Sequence, residues 1–258
     1  MTDALYAEWT KLRTLVGTAW LLVGAVALTV VVSVAVAAAT HQSPGGGGGQ
    51  DPTKLALTGV DLGQAVIAVL AVLTISDEYG TGMIRLTLAA VPRRLVLLGA
   101  KAANAAGLAV AAGVLAVTGC LLAGRLLLPA AGLDPAHGYA LVSIGHGPTL
   151  RAAVGSVLYL GLIALLALGV ATAIRDTAVS MGAVLALLYV PPLLAQAVSD
   201  PLRRHIQQIA PTTAGLAIQG TTNLRNLPIA PWAGLGVLAA WAAASLVVAG
   251  TLLRRRDA

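Results

Sequence analysis

Six long stretches of this sequence are almost free of charged side chains, and each is long enough to cross a lipid bilayer. A helix rises about 1.5 Å per residue, so about 20 apolar residues span a hydrocarbon core of about 30 Å. Only helices and closed barrels satisfy their backbone hydrogen bonds in lipid, and these stretches are continuously apolar rather than alternating. The pattern predicts an all-α polytopic membrane protein with six transmembrane helices, at about residues 18–39, 55–76, 102–124, 152–174, 177–199 and 229–253.

The composition also favours a membrane protein. The 258 residues are 58% hydrophobic and only 10% charged, with a mean hydropathy of +0.87, whereas a soluble domain is about half apolar and a quarter charged. The net charge of +6 fits cytoplasmic flanks of membrane spans, which collect Lys and Arg. No basic patch with interleaved aromatic residues indicates a nucleic-acid partner. We therefore expect one transmembrane domain over residues 1–258, with the lipid bilayer as its surroundings.

The basic residues predict the orientation in the membrane. With six spans, both termini lie on one side, and that side holds ten of the sixteen Lys and Arg residues while the other holds six. Cytoplasmic loops are enriched in Lys and Arg, so we expect both termini to be cytoplasmic. The excess of Ala, Gly, Val and Leu, and of Arg over Lys, is typical of a bacterial protein from a high-GC genome, and therefore indicates the bacterial cell membrane.

Two cytoplasmic segments carry distinct local patterns. The first fifteen residues are amphipathic and predict an N-terminal interfacial helix, whose polar and headgroup-seeking residues are Glu8, Trp9, Lys11 and Arg13. Residues 77–101 form the loop after the second span. There, Gly80 and Gly82 permit a tight turn, Met83–Ala90 can form a short helix, and Pro92 would end that helix.

The remaining connections differ in length. Only Arg175 and Asp176 separate the fourth and fifth spans, which predicts a tight antiparallel hairpin. The longest outer segment, residues 200–228, can hold two short helices at about 202–209 and 213–219, with Pro211 between them. Five consecutive glycines at 45–49 indicate a flexible external linker. No Gly-Lys-Ser/Thr follows them, so they do not form a phosphate-binding loop.

A few residues within the spans have both a structural and a functional interpretation. Asp61 lies one turn into the second span, where it is either an interfacial helix-start residue or a functional carboxylate. Pro191 and Pro192 predict a kink in the fifth span, serving either packing or gating. The spacing Gly59-x-x-x-Gly63 matches close helix packing, but chance matches are common in so Gly- and Ala-rich a chain, so we attribute it to chance.

No cofactor or metal site is predicted. Cys120 is the only cysteine, so it cannot form a disulfide within the chain, and it lies in an apolar run. The four histidines, at 41, 137, 146 and 205, fall in outer loops without metal-ligand spacing. We expect no catalytic, cofactor-binding or metal-binding residues.

Three segments together resemble one transporter family. These are Glu8-Trp9-Thr10-Lys11-Leu12-Arg13 before the first span, the stretch 78–94 after the second, and residues 211–218 before the last. With the six-span layout, they resemble the type-two ABC exporter permeases common in actinobacteria. The second stretch carries the family's pattern of Glu, Gly, Leu and Pro at Glu78, Gly82, Leu88 and Pro92.

The resemblance implies a mechanism in which the chain does not hydrolyse ATP. Such permeases pair as homodimers or heterodimers and sit on two copies of a separate ATPase subunit. The amphipathic N-terminal helix and the loop after the second span, as a cytoplasmic coupling helix, would then form the contact with the ATPases. Its candidate coupling residues are Glu78, Tyr79, Gly82, Met83, Arg85, Leu88, Pro92, Arg93 and Arg94. The chain contains no Walker-A pattern, so the resemblance places ATP hydrolysis in the partner.

Two other functions remain alternatives. A self-sufficient carrier or channel usually places charged residues at the membrane midplane, and an intramembrane enzyme needs clustered polar groups within the spans. The predicted spans contain few residues of either kind, so we expect an ABC exporter permease subunit.

Overall fold

The computed structural model describes residues 16–40, 50–80, 83, 94–133, 139, 142–143 and 145–255. Within these residues all regular elements are helical, and six helices are long and apolar enough to cross a membrane. The all-α multi-pass fold is thereby confirmed. The six long helices are α1 (Val16–Ala39), α3 (Val60–Gly80), α4 (Arg94–Leu127), α5 (Gly147–Ile174), α6 (Thr177–Ala197) and α9 (Pro231–Arg255).

Three short α-helices also lie within the described residues: α2 (Pro52–Ala56), α7 (Asp200–Ile209) and α8 (Pro211–Leu216). The last two confirm the short helices predicted in the long outer segment, with Pro211 as the first residue of α8. A 3-10 turn, Ala217–Gln219, continues from α8. The predicted hairpin between the fourth and fifth spans is also confirmed, since α5 ends at Ile174 and α6 begins at Thr177.

The largest correction to the sequence boundaries concerns α4. It begins at Arg94 rather than near residue 102 and has 34 residues, about 51 Å at the usual helical rise and so longer than a hydrocarbon core. Lys101, predicted in a loop, is a helical residue with 2% of its surface exposed. Its ammonium donates a hydrogen bond to the Thr74 carbonyl oxygen at 3.2 Å. Because the ammonium has this hydrogen-bond partner, the charged side chain can lie inside the bundle. In the sequence, its charge alone had indicated a loop.

The second span also differs from its prediction. The helix is interrupted at residues 57–59, so α2 and α3 are separate elements. Pro52 begins α2, and the Asp51 side chain caps it by accepting a hydrogen bond from the Lys54 amide at 3.1 Å. At the other end, α3 continues to Gly80. Gly80, one of the two glycines predicted to permit a tight turn, is the last residue of α3, and the other, Gly82, lies outside the described residues.

Helix α5 is the centre of the bundle. It packs against α3, α4, α6 and α9, while α1 packs against α3 and α4. Most of the α5 side chains are consequently buried, among them Tyr159, Ile163 and Leu168. The outward faces of α1, α6 and α9 are exposed and apolar, with Trp20, Val31, Leu193 and Val247 as examples. Such faces fit contact with lipid chains.

The bundle has two different ends. At one, α1 begins, α3 ends, α4 begins, the α5–α6 hairpin turns and α9 ends; we call this the terminus end. At the other, α2, α7, α8 and the turns around them cover the long helices; we call residues 50–59 and 198–230 the cap. The predicted cytoplasmic side corresponds to the terminus end.

Candidate functional site

Side chains and carbonyl groups from five elements are tied together at the terminus end. The Arg94 guanidinium, on the first residue of α4, donates to the Leu253 carbonyl oxygen of α9 at 2.7 Å. Arg175, in the α5–α6 turn, places its guanidinium carbon 5.4 Å from the centre of the Tyr79 ring of α3, within the range of a cation–π contact. Together with the bond from Lys101 to Thr74, these contacts link α3, α4, α9 and the hairpin.

The structure covers the predicted coupling residues only in part. Glu78 and Tyr79 belong to α3, Arg94 to α4, and Met83 is helical and exposed. The structure therefore brings Tyr79 and Arg94 to the same end of the bundle. The other predicted residues lie outside the described part of the chain: Gly82, Arg85, Leu88, Pro92 and Arg93 of the coupling loop, and Glu8, Trp9, Lys11 and Arg13 of the interfacial helix.

A chain of polar side chains runs from the bundle centre to the cap. The Tyr159 hydroxyl donates to Oε1 of Gln64, and Nε2 of Gln64 donates to Oδ1 of Asp61 at 2.9 Å. Tyr159 and Gln64 are both 0% exposed. Because the Tyr159 hydroxyl occupies the amide oxygen of Gln64, the amide nitrogen points at the Asp61 carboxylate. The hydroxyl of Tyr189, on α6, donates to the Asp61 carbonyl oxygen at 2.6 Å.

This polar chain corrects the expectation that the spans hold almost no polar clusters. Gln64, Tyr159 and Tyr189 were not singled out in the sequence, since each is isolated within an apolar run. Gln64 follows Asp61 by three residues, which places both on one face of a helix. The sequence could have revealed this pair by its spacing. It could not reveal that Tyr159 of α5 and Tyr189 of α6 join the pair, because that depends on how the helices pack.

The tandem proline of α6 has a partner in the cap. Pro192 has no amide hydrogen, so the Leu188 carbonyl oxygen lacks its usual helical donor. The hydroxyl of Thr212, on α8, donates to this oxygen at 2.8 Å. Both prolines lie within the continuous helix α6. The gap that Pro192 leaves in the hydrogen-bond ladder is therefore where α8 attaches to α6.

A second set of bonds closes the cap. The carboxylate of Asp51 accepts hydrogen bonds from the Thr221 amide, the Thr222 amide (3.0 Å) and the Thr221 hydroxyl (2.6 Å). Nearby, the Arg151 guanidinium of α5 donates to the Gly220 carbonyl oxygen. One carboxylate thus holds the start of α2 against the stretch after the 3-10 turn, more than 150 residues away in sequence.

Between these two parts of the cap lies a cavity of about 310 Å³. Its apolar wall comes from α8, the 3-10 turn and the stretch before α9. Its polar lining consists of Lys54, Thr58, Asp61, Gln207, Thr213 and Gln219. Asp61 thus reaches the cavity on one side and the buried Gln64 on the other. We regard this cavity and the polar chain behind it as the candidate functional site.

Within the described residues, no group of three or more His, Cys, Asp or Glu side chains is arranged to hold a metal ion. No protein-family model and no curated protein matches this sequence. The fold defines the class: an all-α multi-pass membrane protein whose six apolar helices fit membrane transport.

Proposed function

We propose that this chain is the permease subunit of an ABC exporter in a bacterial cell membrane, with both termini in the cytoplasm. It would pair with a second permease copy, identical or not, and would be driven by two copies of a separate ATPase subunit. ATP hydrolysis would then belong to the partner, and the terminus end of the bundle would face it.

The observation that carries this proposal is how the predicted coupling loop is attached. Residues 81–93 join α3 to α4, and both helices are held at this end by the bonds from Lys101 and Arg94 and by the contact of Arg175 with Tyr79. A force applied to the loop would reach rigid helices whose ends are bonded to one another. Such an attachment suits the transfer of motion from an ATPase into the membrane.

The test changes the last turn of α3 and the loop that follows it. We expect Glu78→Ala and Gly82→Trp to reduce co-purification with the ATPase and to reduce export, because a tryptophan obstructs close approach and the carboxylate at 78 is lost. The ATPase to be used is the one encoded beside this chain's gene. The matched controls are Asp200→Ala, an exposed carboxylate on α7, and Gly147→Trp, where no neighbouring atom lies within 4 Å.

Membrane insertion should be unchanged in all four variants, since Glu78 and Gly82 lie outside the spans predicted from the sequence, Asp200 is exposed, and a Cβ atom at Gly147 would meet nothing within 4 Å. If both loop variants still captured the ATPase and exported normally, the coupling assignment would have to move to the N-terminal segment or be abandoned.

A self-sufficient carrier is the second candidate, and the Asp61 carboxylate with its buried partners Gln64 and Tyr159 favours it. Carriers often use charged residues within their helices to bind coupling ions. Proteoliposomes containing this chain alone separate the two functions. Uptake or efflux driven by an ion gradient without nucleotide would favour the carrier over the exporter subunit.

A further inference from the structure

The cap cavity carries two opposite charges that do not pair with each other. Among the described residues, neither Lys54 nor Asp61 takes part in an ion pair. Thr58, in the turn that separates α2 from α3, lies between them in sequence and lines the same cavity.

The two charged groups differ in how deeply they lie. Lys54 is exposed, so its ammonium is at the mouth of the cavity, whereas Asp61 is half-buried and lies next to the fully buried Gln64. In the described part of the chain, Oδ1 of Asp61 has a donor in Gln64 and Oδ2 has none. A carboxylate that is partly removed from water without a cation is unfavourable, and a bound cation would offset this.

From these features, we propose that the cap cavity binds a small zwitterion, with its ammonium group on Asp61 and its acidic group on Lys54. The amides of Gln207 and Gln219 and the Thr213 hydroxyl supply neutral polar contacts, and the apolar wall accommodates methylene groups. A volume of about 310 Å³ lies at the lower limit of small-molecule pockets. It therefore suits a ligand of headgroup size.

Two sources offer this chemistry: the headgroup of a membrane lipid such as phosphatidylethanolamine, and a free zwitterion. Both carry an ammonium and an acidic group a few bonds apart. The cavity lies in the cap, beside the first residues of α3 and the stretch that precedes α9. Binding does not depend on the exporter proposal, because it requires neither nucleotide nor a partner subunit.

The experiment titrates the purified chain in an uncharged maltoside detergent and measures binding by calorimetry. The probes are dihexanoyl phosphatidylethanolamine, phosphoethanolamine without acyl chains, and dihexanoyl phosphatidylglycerol, which has an acidic group but no ammonium. We expect a zwitterionic probe to bind more tightly than phosphatidylglycerol. Binding of phosphatidylethanolamine alone would identify a lipid source, and equal binding of phosphoethanolamine would identify a free zwitterion.

Substitutions then test the two charges separately. We expect Asp61→Asn to lower the affinity for the zwitterion by about tenfold or more, as when a charge-assisted hydrogen bond is lost. Asp61→Asn should also remove the preference over phosphatidylglycerol, whereas Lys54→Gln should weaken both kinds of probe. The matched controls are Asp200→Asn and Arg125→Gln, both exposed charges that do not line the cavity.

Leu216→Trp provides a test that leaves both charges in place. This residue lies on the cavity wall in α8, and the larger side chain should fill the cavity and abolish binding. If Asp61→Asn fails to fold, Leu216→Trp still tests whether the cavity is the binding site. The proposal is overturned if no zwitterion binds the wild-type chain, if phosphatidylglycerol binds as tightly, or if the variants that fold, Leu216→Trp among them, bind like the wild type.

Discussion

Thr29 of α1 occupies the space left by the missing side chains of Gly59 and Gly63. A Cβ atom at residue 59 would overlap the Thr29 backbone oxygen, and one at residue 63 would overlap its hydroxyl. The Ser33 hydroxyl, one turn further along α1, accepts a hydrogen bond from the Gly59 amide at 3.0 Å. The Gly59-x-x-x-Gly63 spacing is therefore a packing motif, and attributing it to chance was wrong.

Replacing Gly59 tests this contact. We expect Gly59→Ala to lower the melting temperature, because a backbone atom cannot rotate away as a side chain can. Overpacking of this kind costs about 1–3 kcal/mol, and each kcal/mol corresponds to about 2–4 °C for chains of this size. Thermal unfolding in detergent, followed by size-exclusion chromatography, provides the measurement.

The control is Gly182→Ala in α6, where a Cβ would meet nothing within 4 Å. Alanine has the higher helix propensity, so this variant should be as stable as the wild type or slightly more so. Equal melting temperatures for the two alanine variants would show that α1 moves aside at little cost.

At the scale of elements, the short helices are attached in two ways. One supplies a hydrogen-bond donor that a long helix lacks, and another accepts hydrogen bonds from the backbone of a loop. Thr212 supplies the donor that Pro192 removes from α6, and Asp51 accepts from the backbone at Thr221 and Thr222. The predicted role of Pro191 and Pro192 as a kink or a gate stays a prediction. Their position next to α8 gives them a structural role as an attachment point for the cap.

Removing the Asp51 carboxylate tests how the cap is held. We expect Asp51→Ala to speed amide hydrogen exchange in residues 220–226, because the Thr221 and Thr222 amides lose their acceptor. Loss of bonds to a charged acceptor is expected to destabilise the cap by about 1.5–3 kcal/mol. Exchange in α5, at the bundle centre, should stay unchanged.

Asp200→Ala is the comparison for this element, because its ion pair with Arg203 (3.1 Å) is largely exposed and such pairs contribute little. Unaltered exchange at 220–226 in Asp51→Ala would mean that the Arg151 contact with Gly220 holds the cap by itself.

At the scale of the whole molecule, the even number of spans places both termini on one side of the membrane, and the cap, at the other end of the long helices, lies on the opposite side. Cys120 is buried, so it should not react with aqueous thiol reagents and single-cysteine variants can be labelled against a silent background. We expect a cysteine at Thr222, which is exposed in the cap, to react with an impermeant reagent in intact cells. A cysteine at Asp257 should react only after lysis, because ten of the sixteen basic residues lie on the side of the termini.

Labelling at 257 and protection at 222 in intact cells would reverse the orientation. The terminus end would then face outward, and a cytoplasmic ATPase would have to contact the cap. This outcome would remove the structural support for the coupling proposal while leaving the fold and the cap cavity unaffected.

The sequence by itself determined the number and approximate position of the long helices, because about 20 uncharged apolar residues in lipid have few alternatives to a helix. It also determined the α5–α6 hairpin, since the two residues between these spans are too few for anything but a tight turn. The tertiary structure decided where helices end when charges are present. Arg94 and Lys101 resembled loop residues, but carbonyl oxygens on α9 and α3 accept their hydrogen bonds and let α4 begin earlier.

Only the tertiary structure brought together the candidate site. The pair Asp61 and Gln64 is separated from Tyr159 and from Tyr189 by apolar runs whose composition is nearly uniform, so the sequence holds little information about which faces meet. Their assembly depends on the packing of α3, α5, α6 and α8, which is set by the shapes of small side chains and by single buried hydrogen bonds. These interactions connect residues up to 128 positions apart, and patterns with helical or loop-length spacing do not reveal contacts over that range.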